Sequence, residues 1–135
     1  MALFKWSDDY SVKVPSIDAQ HRKLVGMLNE LHDGMSAGTG TDQLAVLLNG
    51  LIAYTAEHFT YEEQLFAEHG YPQTTAHTEE HRRLVTQVLD FKKKYEASEA
   101  TINMQLMKFL KDWLIKHILG SDKAYSAHLV ERGVK

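Results

Sequence analysis

The sequence predicts an all-α fold: an antiparallel up-down four-helix bundle with an extended N-terminal arm and a short C-terminal helix. Three observations predict it. Apolar residues recur at intervals of three and four in four long segments. Short stretches rich in Gly, Pro, Ser and Thr separate them, and no alternating strand pattern occurs beyond the first fifteen residues. At 135 residues the chain is expected to form one domain, 1–135, large enough to bury a core without covalent staples.

The arm, residues 1–15, alternates Tyr10, Val12 and Val14 with polar side chains. Pro15 is expected to stop a helix from reaching back through it, so the arm should cross the bundle as irregular chain. The first helix is placed at 18–36, with Asp18 as its cap and Ile17, His21, Leu24, Val25, Leu28, Leu31 and Met35 on one stripe. Ala37 to Gly40 end it. The second, 41–69, carries Leu44, Leu47, Leu48, Leu51, Thr55, His58, Glu62, Leu65 and Phe66 inward, and Gly70, Tyr71 and Pro72 terminate it. The third, 75–95, turns His77, His81, Leu84, Val85, Val88 and Phe91 inward and leads into a polar turn through Ser98. The fourth, 101–119, aligns Ile102, Leu106, Phe109, Leu110, Trp113 and His117, and a short helix at 121–130 closes the chain.

Composition narrows the function. The net charge of -3 and the isoelectric point near 6.2 come from interspersed charges. The only basic cluster, Lys92 to Lys94, reads as the solvated end of a helix, which argues against nucleic acid and acidic membrane as partners. No apolar run approaches the roughly 20 residues of a membrane span, and the opening MALFKWSDDYSVKV lacks a basic region followed by a long apolar stretch. A soluble cytoplasmic protein is expected, and a monomer, because no fused apolar surface patch is evident. The absence of cysteine excludes cysteine-ligated iron–sulfur clusters, covalently attached haem and thiolate zinc sites.

Seven polar residues on the inward stripes point to a pair of metal ions: His21, His58, Glu62, His77, His81, His117 and Asp122. His58 and Glu62, like His77 and His81, are four residues apart, so each pair projects from one helix face about a turn apart. Short connections make successive helices antiparallel, which converts sequence position into height. His21 precedes the first turn by about as many residues as His58 follows it, and His81 and His117 stand in the same relation to the third turn. Each leg is roughly 24 to 27 Å at 1.5 Å per residue. Glu62 and His77 flank the remaining turn, so all four helices deliver ligands to one end of the bundle. Singly, each histidine fits an ordinary hydrogen-bonded boundary position. Seven such groups buried in one layer without a metal would cost several kcal/mol. Imidazole and carboxylate donors suit iron above all, with zinc, copper and manganese as competitors. His32, His69 and His128 have no partners at matching height and are expected to be structural or solvated, and Glu57 and Glu63 to be solvated off the stripe.

These motifs, His21 in DAQHRKLV, HFTYEE with His58 and Glu62, HTEEH with His77 and His81, and HILGSD with His117 and Asp122, together resemble the bacterial hemerythrins, non-haem di-iron oxygen-binding proteins with a four-helix bundle. The likeness covers essentially the whole chain, and no ligand position of the family pattern is missing. It implies that His77, His81 and His117 hold one iron, that His21 and His58 hold the other, and that Glu62 and Asp122 bridge both together with an oxo or hydroxo group. Counting donors against two six-coordinate ions then leaves one position open, on the ion with two histidines. By the resemblance, dioxygen binds there reversibly. The centre keeps the same net charge on binding, which avoids the cost of importing charge into a low-dielectric interior. The resemblance also implies that Phe59, Trp113, Leu114, Ile118 and Leu119 wall the open position and exclude water, with Gln20 and Tyr125 as supporting partners of the ligands. Carriage without catalysis is expected, with an oxygen-consuming enzyme as a recipient.

His117 and Asp122 are five residues apart, about 140° around the axis of a regular helix. Both face the metals only if the helix widens or breaks near Gly120, and a single π turn would serve. Alternatives from other classes are a di-iron oxidase, a sensor reporting oxygen or redox state to a separate partner, and handling of nitric oxide or peroxide. The first is disfavoured because ferritin-like oxidases use Glu-x-x-His motifs that this site lacks.

Overall fold

A computed structural model describes residues 4–38, 40–99 and 101–135. The architecture is the expected one, a four-helix bundle with an N-terminal extension and a short C-terminal helix: α1 Pro15–Ser36, α2 Thr41–His69, α3 Thr74–Glu96, α4 Met104–Lys116 and α5 Lys123–Glu131. Between α4 and α5, residues His117–Asp122 form a π turn, so the chain stays helical from Met104 to Glu131. The last helix is thus a continuation rather than a separate element starting at 121. The first three residues of the arm, residue 39 of the first turn and residue 100 before α4 lie outside the described residues.

Two helix starts differ from expectation. α1 begins at Pro15, which occupies its first turn, where a missing N–H costs nothing and the fixed φ favours the helix. Asp18 therefore caps nothing; instead its carboxylate accepts from the Ser11 hydroxyl at 2.6 Å and the Val12 amide at 2.9 Å, holding the arm down. α4 begins at Met104 instead of 101 because the Asn103 side chain accepts from the Leu106 amide at 3.0 Å, which caps the helix. At the other end of the bundle, Gly70 terminates α2 with φ 61°, the left-handed conformation glycine adopts without penalty.

The core among the described residues has three clusters, the smallest being Phe59, Leu84 and Val88 beside the ligands. Of the other two, one, at the end that carries the ligands, packs Val12 and Val14 of the arm against Ile17, Phe66, Tyr71, Tyr125 and Leu129. The other fills the opposite end with Leu24, Leu28, Leu31, Leu48, Leu51, Leu106 and Met107. The arm forms a 3-10 turn at Asp8–Tyr10 and lies over α1, pinned by Asn29, whose side chain exchanges two hydrogen bonds with the Phe4 backbone at 2.8 and 2.9 Å. It is anchored to α5 as well, where the Ser126 hydroxyl donates to the Val12 carbonyl. No helix among the described residues is long and apolar enough to cross a membrane.

Candidate metal centre

All seven sequence-predicted ligands converge. α1 supplies His21, α2 His58 and Glu62, α3 His77 and His81, and the two ends of the π turn His117 and Asp122; none is more than 4% exposed. Donor atoms of Glu62, His77, His81, His117 and Asp122 lie within 4.8 Å of one another, and those of His21, His58 and Glu62 form a second group. Asp122 spans both: its Oδ1 is 3.1 Å from His77 Nε2 and 3.0 Å from His117 Nε2, while its Oδ2 is 3.1 Å from His21 Nε2. Glu62 Oε1 lies 3.2 Å from His81 Nε2 and 3.5 Å from His58 Nε2. The π turn makes this possible. Its extra residue per turn brings two side chains five apart onto one face, which a regular α-helix would separate.

Buried polar atoms that lack a hydrogen-bond partner concentrate here: both ring nitrogens of His21, His77 Nε2, His117 Nδ1, Glu62 Oε1 and both oxygens of Asp122. Native interiors leave few such groups unsatisfied. The short contacts among them are approaches between lone pairs aimed at common points, as donors around an ion are. The donor set therefore fits two first-row cations, with nitrogen and oxygen ligands only.

The carboxylates and imidazoles of the cluster act strongly on one another's charge. Burial pulls the His58 imidazole down to about 4, only partly offset by the charge of Glu62. Burial acts the same way on His77, but the closeness and charge of the Asp122 and Glu62 carboxylates outweigh it and push the imidazole up to about 9. Asp122 is held well below the usual carboxylate range: burial opposes ionisation, yet the charge of His117 and the close approach of the His117, His21 and His77 imidazoles dominate. Both carboxylates are thus anionic and ready to neutralise cations.

A second ring of residues orients the first. Gln20 Oε1 accepts from His58 Nδ1 at 2.6 Å, and the buried Tyr125 hydroxyl donates to Glu62 Oε2 at 2.5 Å. Burial first, then the charges of Asp122 and Glu62, push the Tyr125 phenol well above its ordinary value, so it remains a donor. Phe59 stacks on His81 with ring centroids 3.7 Å apart and Trp113 on His117 at 4.3 Å, while Phe66 meets His77 edge-on. Glu63, expected to be solvated, keeps its side chain 35% exposed but also reaches a ligand ring. Its Oε2 is 3.0 Å from His81 Nδ1, because α3 packs against that side of α2. Sequence reasoning also missed Glu80, which the Ser121 hydroxyl ties to the π turn and whose Oε1 lies 3.8 Å from His117 Nδ1. Both acids adjoin ligands in EE pairs, Glu62–Glu63 and Glu79–Glu80 before His81, and that adjacency was the available signal. Of the other histidines, His128 bonds the His69 carbonyl at 2.7 Å and none joins the cluster.

Beside the ligands lies a cavity of about 40 Å³, bordered by His21, His58, His117 and Asp122 and walled by Phe59, Trp113 and Leu114 together with Leu24, Leu28, Leu51, Thr55, Leu84 and Leu110. Ile118 and Leu119, expected in this wall, are not part of it. Ile118 is fully buried elsewhere, and Leu119, two positions and hence about half a turn beyond His117, is 44% exposed.

Comparison with known proteins agrees with this geometry. The family model described as Hemerythrin HHE cation binding domain matches residues 12–129. The chain is 38% identical over 135 residues to the bacteriohemerythrin of Stenotrophomonas maltophilia, covering 96% of this chain and 86% of that one. With the bacteriohemerythrin of Methylococcus capsulatus it shares 36% over 126 residues, covering 93% of this chain and 95% of the relative. A crystal structure of wild-type hemerythrin superposes with a TM-score of 0.89 at 37% identity, covering 95% of this chain and 98% of that one. On these grounds the chain belongs to the bacteriohemerythrin family of non-haem di-iron oxygen-binding proteins.

Proposed function

We propose that this protein binds dioxygen reversibly at a carboxylate-bridged di-iron centre, for transport, storage or delivery to an oxygen-consuming enzyme, and that it carries its ligand without turning it over. His77, His81 and His117 would hold one ion and His21 and His58 the other, with Glu62 and Asp122 bridging. Two ferrous ions held by these residues would supply the electrons that dioxygen takes up. One observation carries the reading: the cavity borders both histidines of the two-histidine half but only His117 of the other, so the half with fewer imidazoles would be the one that faces a mostly apolar space.

The chain's own residues account for the rest. Leu24, Leu28, Leu51, Leu110 and Leu114 offer a small apolar ligand space that water cannot satisfy with hydrogen bonds. Phe59 and Trp113, stacked on His81 and His117, fix those rings while closing the cavity. Tyr125 fixes the Glu62 carboxylate, which would bridge the two ions, and Gln20 sets the tautomer of His58 so that Nε2 presents its lone pair inward. The test is anaerobic loading with ferrous iron followed by air and then argon. A visible absorption that appears in air and vanishes under argon is expected; continuous oxygen consumption with excess ferrous iron would refute carriage in favour of catalysis.

A further inference from the structure

The two halves of the centre differ in what lies behind their imidazoles. In the half built from His77, His81 and His117, the Glu63 carboxylate accepts from His81 Nδ1 at 3.0 Å, and Glu80, fastened by Ser121, places its charge 3.8 Å from His117 Nδ1. In the half built from His21 and His58, the corresponding partner is the uncharged amide of Gln20 on His58, and His21 Nδ1 has no hydrogen-bond partner. Asp18, the other carboxylate on that side, is committed to Ser11 and the Val12 amide. A carboxylate that accepts an imidazole N–H draws that proton outward and enriches the opposite nitrogen, which makes the ring a stronger donor to a cation. A neutral amide orients the ring but adds no charge.

We infer that Glu63 and Glu80 are positioning residues that make the three-histidine half the tighter of the two metal positions, so that ions load in a fixed order, first among His77, His81 and His117. The inference rests on the reading of these seven residues as a two-ion centre, but not on oxygen binding. Three imidazoles against two already favour this half, and the anionic backing on one side alone widens the difference. Glu63, in hydrogen-bond contact, carries more of the effect than Glu80, whose oxygen stands beyond hydrogen-bond distance.

The experiment is a titration of the metal-free full chain with Co²⁺ against a competing chelator, read by absorption and by the paramagnetic shifts of the imidazole N–H protons. Two steps are expected, with the first equivalent shifting the His81 N–H and leaving that of His58. Glu63→Gln keeps the shape and the acceptor oxygen but removes the charge, so it weakens the first step about 10- to 100-fold and leaves the second unchanged. Glu80→Gln weakens the same step less, and Gln20→Glu strengthens the second step, an effect that a purely structural role would not produce. First-step affinity within twofold of the parent in Glu63→Gln, or initial occupancy at His58, overturns the inference. Binding of a single ion per chain overturns the two-ion reading itself, which separates the two failures.

Discussion

Replacing Tyr125 with Phe isolates one interaction beneath the buried Glu62 carboxylate. The side chain is fully buried, its ring packs against Phe66 and His77, and Phe retains that packing, so only the hydroxyl is lost. That hydroxyl donates at 2.5 Å to Glu62, an anion with no solvent exposure. Hydrogen bonds to charged groups contribute about 1.5 to 3 kcal/mol, and nothing in the apolar core beside Tyr125 replaces this donor. For a domain of this size, about 4 °C of melting temperature corresponds to each kcal/mol, so the metal-free variant should melt roughly 6 to 12 °C lower. Because burial and the neighbouring carboxylates keep the phenol protonated, the loss should be the same at neutral and mildly alkaline pH. In the loaded protein the shift should shrink, since the ions themselves would hold Glu62. Thermal unfolding followed by circular dichroism, with and without iron, measures both numbers. A metal-free shift below about 1 °C, equivalent to roughly 0.3 kcal/mol, would refute the reasoning.

Leu114→Ala opens the cavity wall, admits water and should hasten conversion of oxygenated protein to the ferric form; an unchanged rate of its appearance in air counts against a water-excluding role. The pH profile of the metal-free protein should be peaked. His58, depressed to about 4, stays neutral in the fold while the unfolded chain takes up a proton, so stability is lost as pH falls from about 6.5 to about 4, by up to about 3 kcal/mol. His77, raised to about 9, has the opposite sign: its contribution is complete below about 6.5 and is lost as pH climbs through about 9. Urea unfolding at several pH values checks this, and bound metal, by occupying both imidazoles, should flatten the slope between pH 6.5 and 9. A profile that rises or falls monotonically across the whole range would contradict it.

Much of the site was legible because helices translate spacing into direction. The four-residue pairs, the matched heights on antiparallel helices and the bounds of α2, set by Gly40 and Gly70, follow from periodicity and turn chemistry alone. The misfit of His117 and Asp122 was itself informative, since an interval of five residues that must face one way demands a π turn. What was not legible depended on how neighbouring helices sit against each other. Glu63 lies off the ligand stripe of its own helix, and only the closeness of α3 turns it into a partner of His81. The start of α1 was misjudged because Pro15 both forbids a helix before it and suits a helix's first turn, and local sequence does not distinguish these. Leu119 was placed in the cavity wall by family likeness, whereas its angular offset from His117 directs it to solvent.

The bond from Ser126 to Val12 closes a loop of 114 residues, encompassing most of the polypeptide. A fastening between such distant positions forms only after nearly everything between them is in place, because closing so long a loop carries the largest entropic cost. During synthesis from the N-terminus, Val12 emerges early and waits for Ser126, which follows the final ligand, Asp122, by only four positions. The arm's fastening to α1 can therefore form early, whereas its fastening to α5 waits until all seven donor residues have been synthesised.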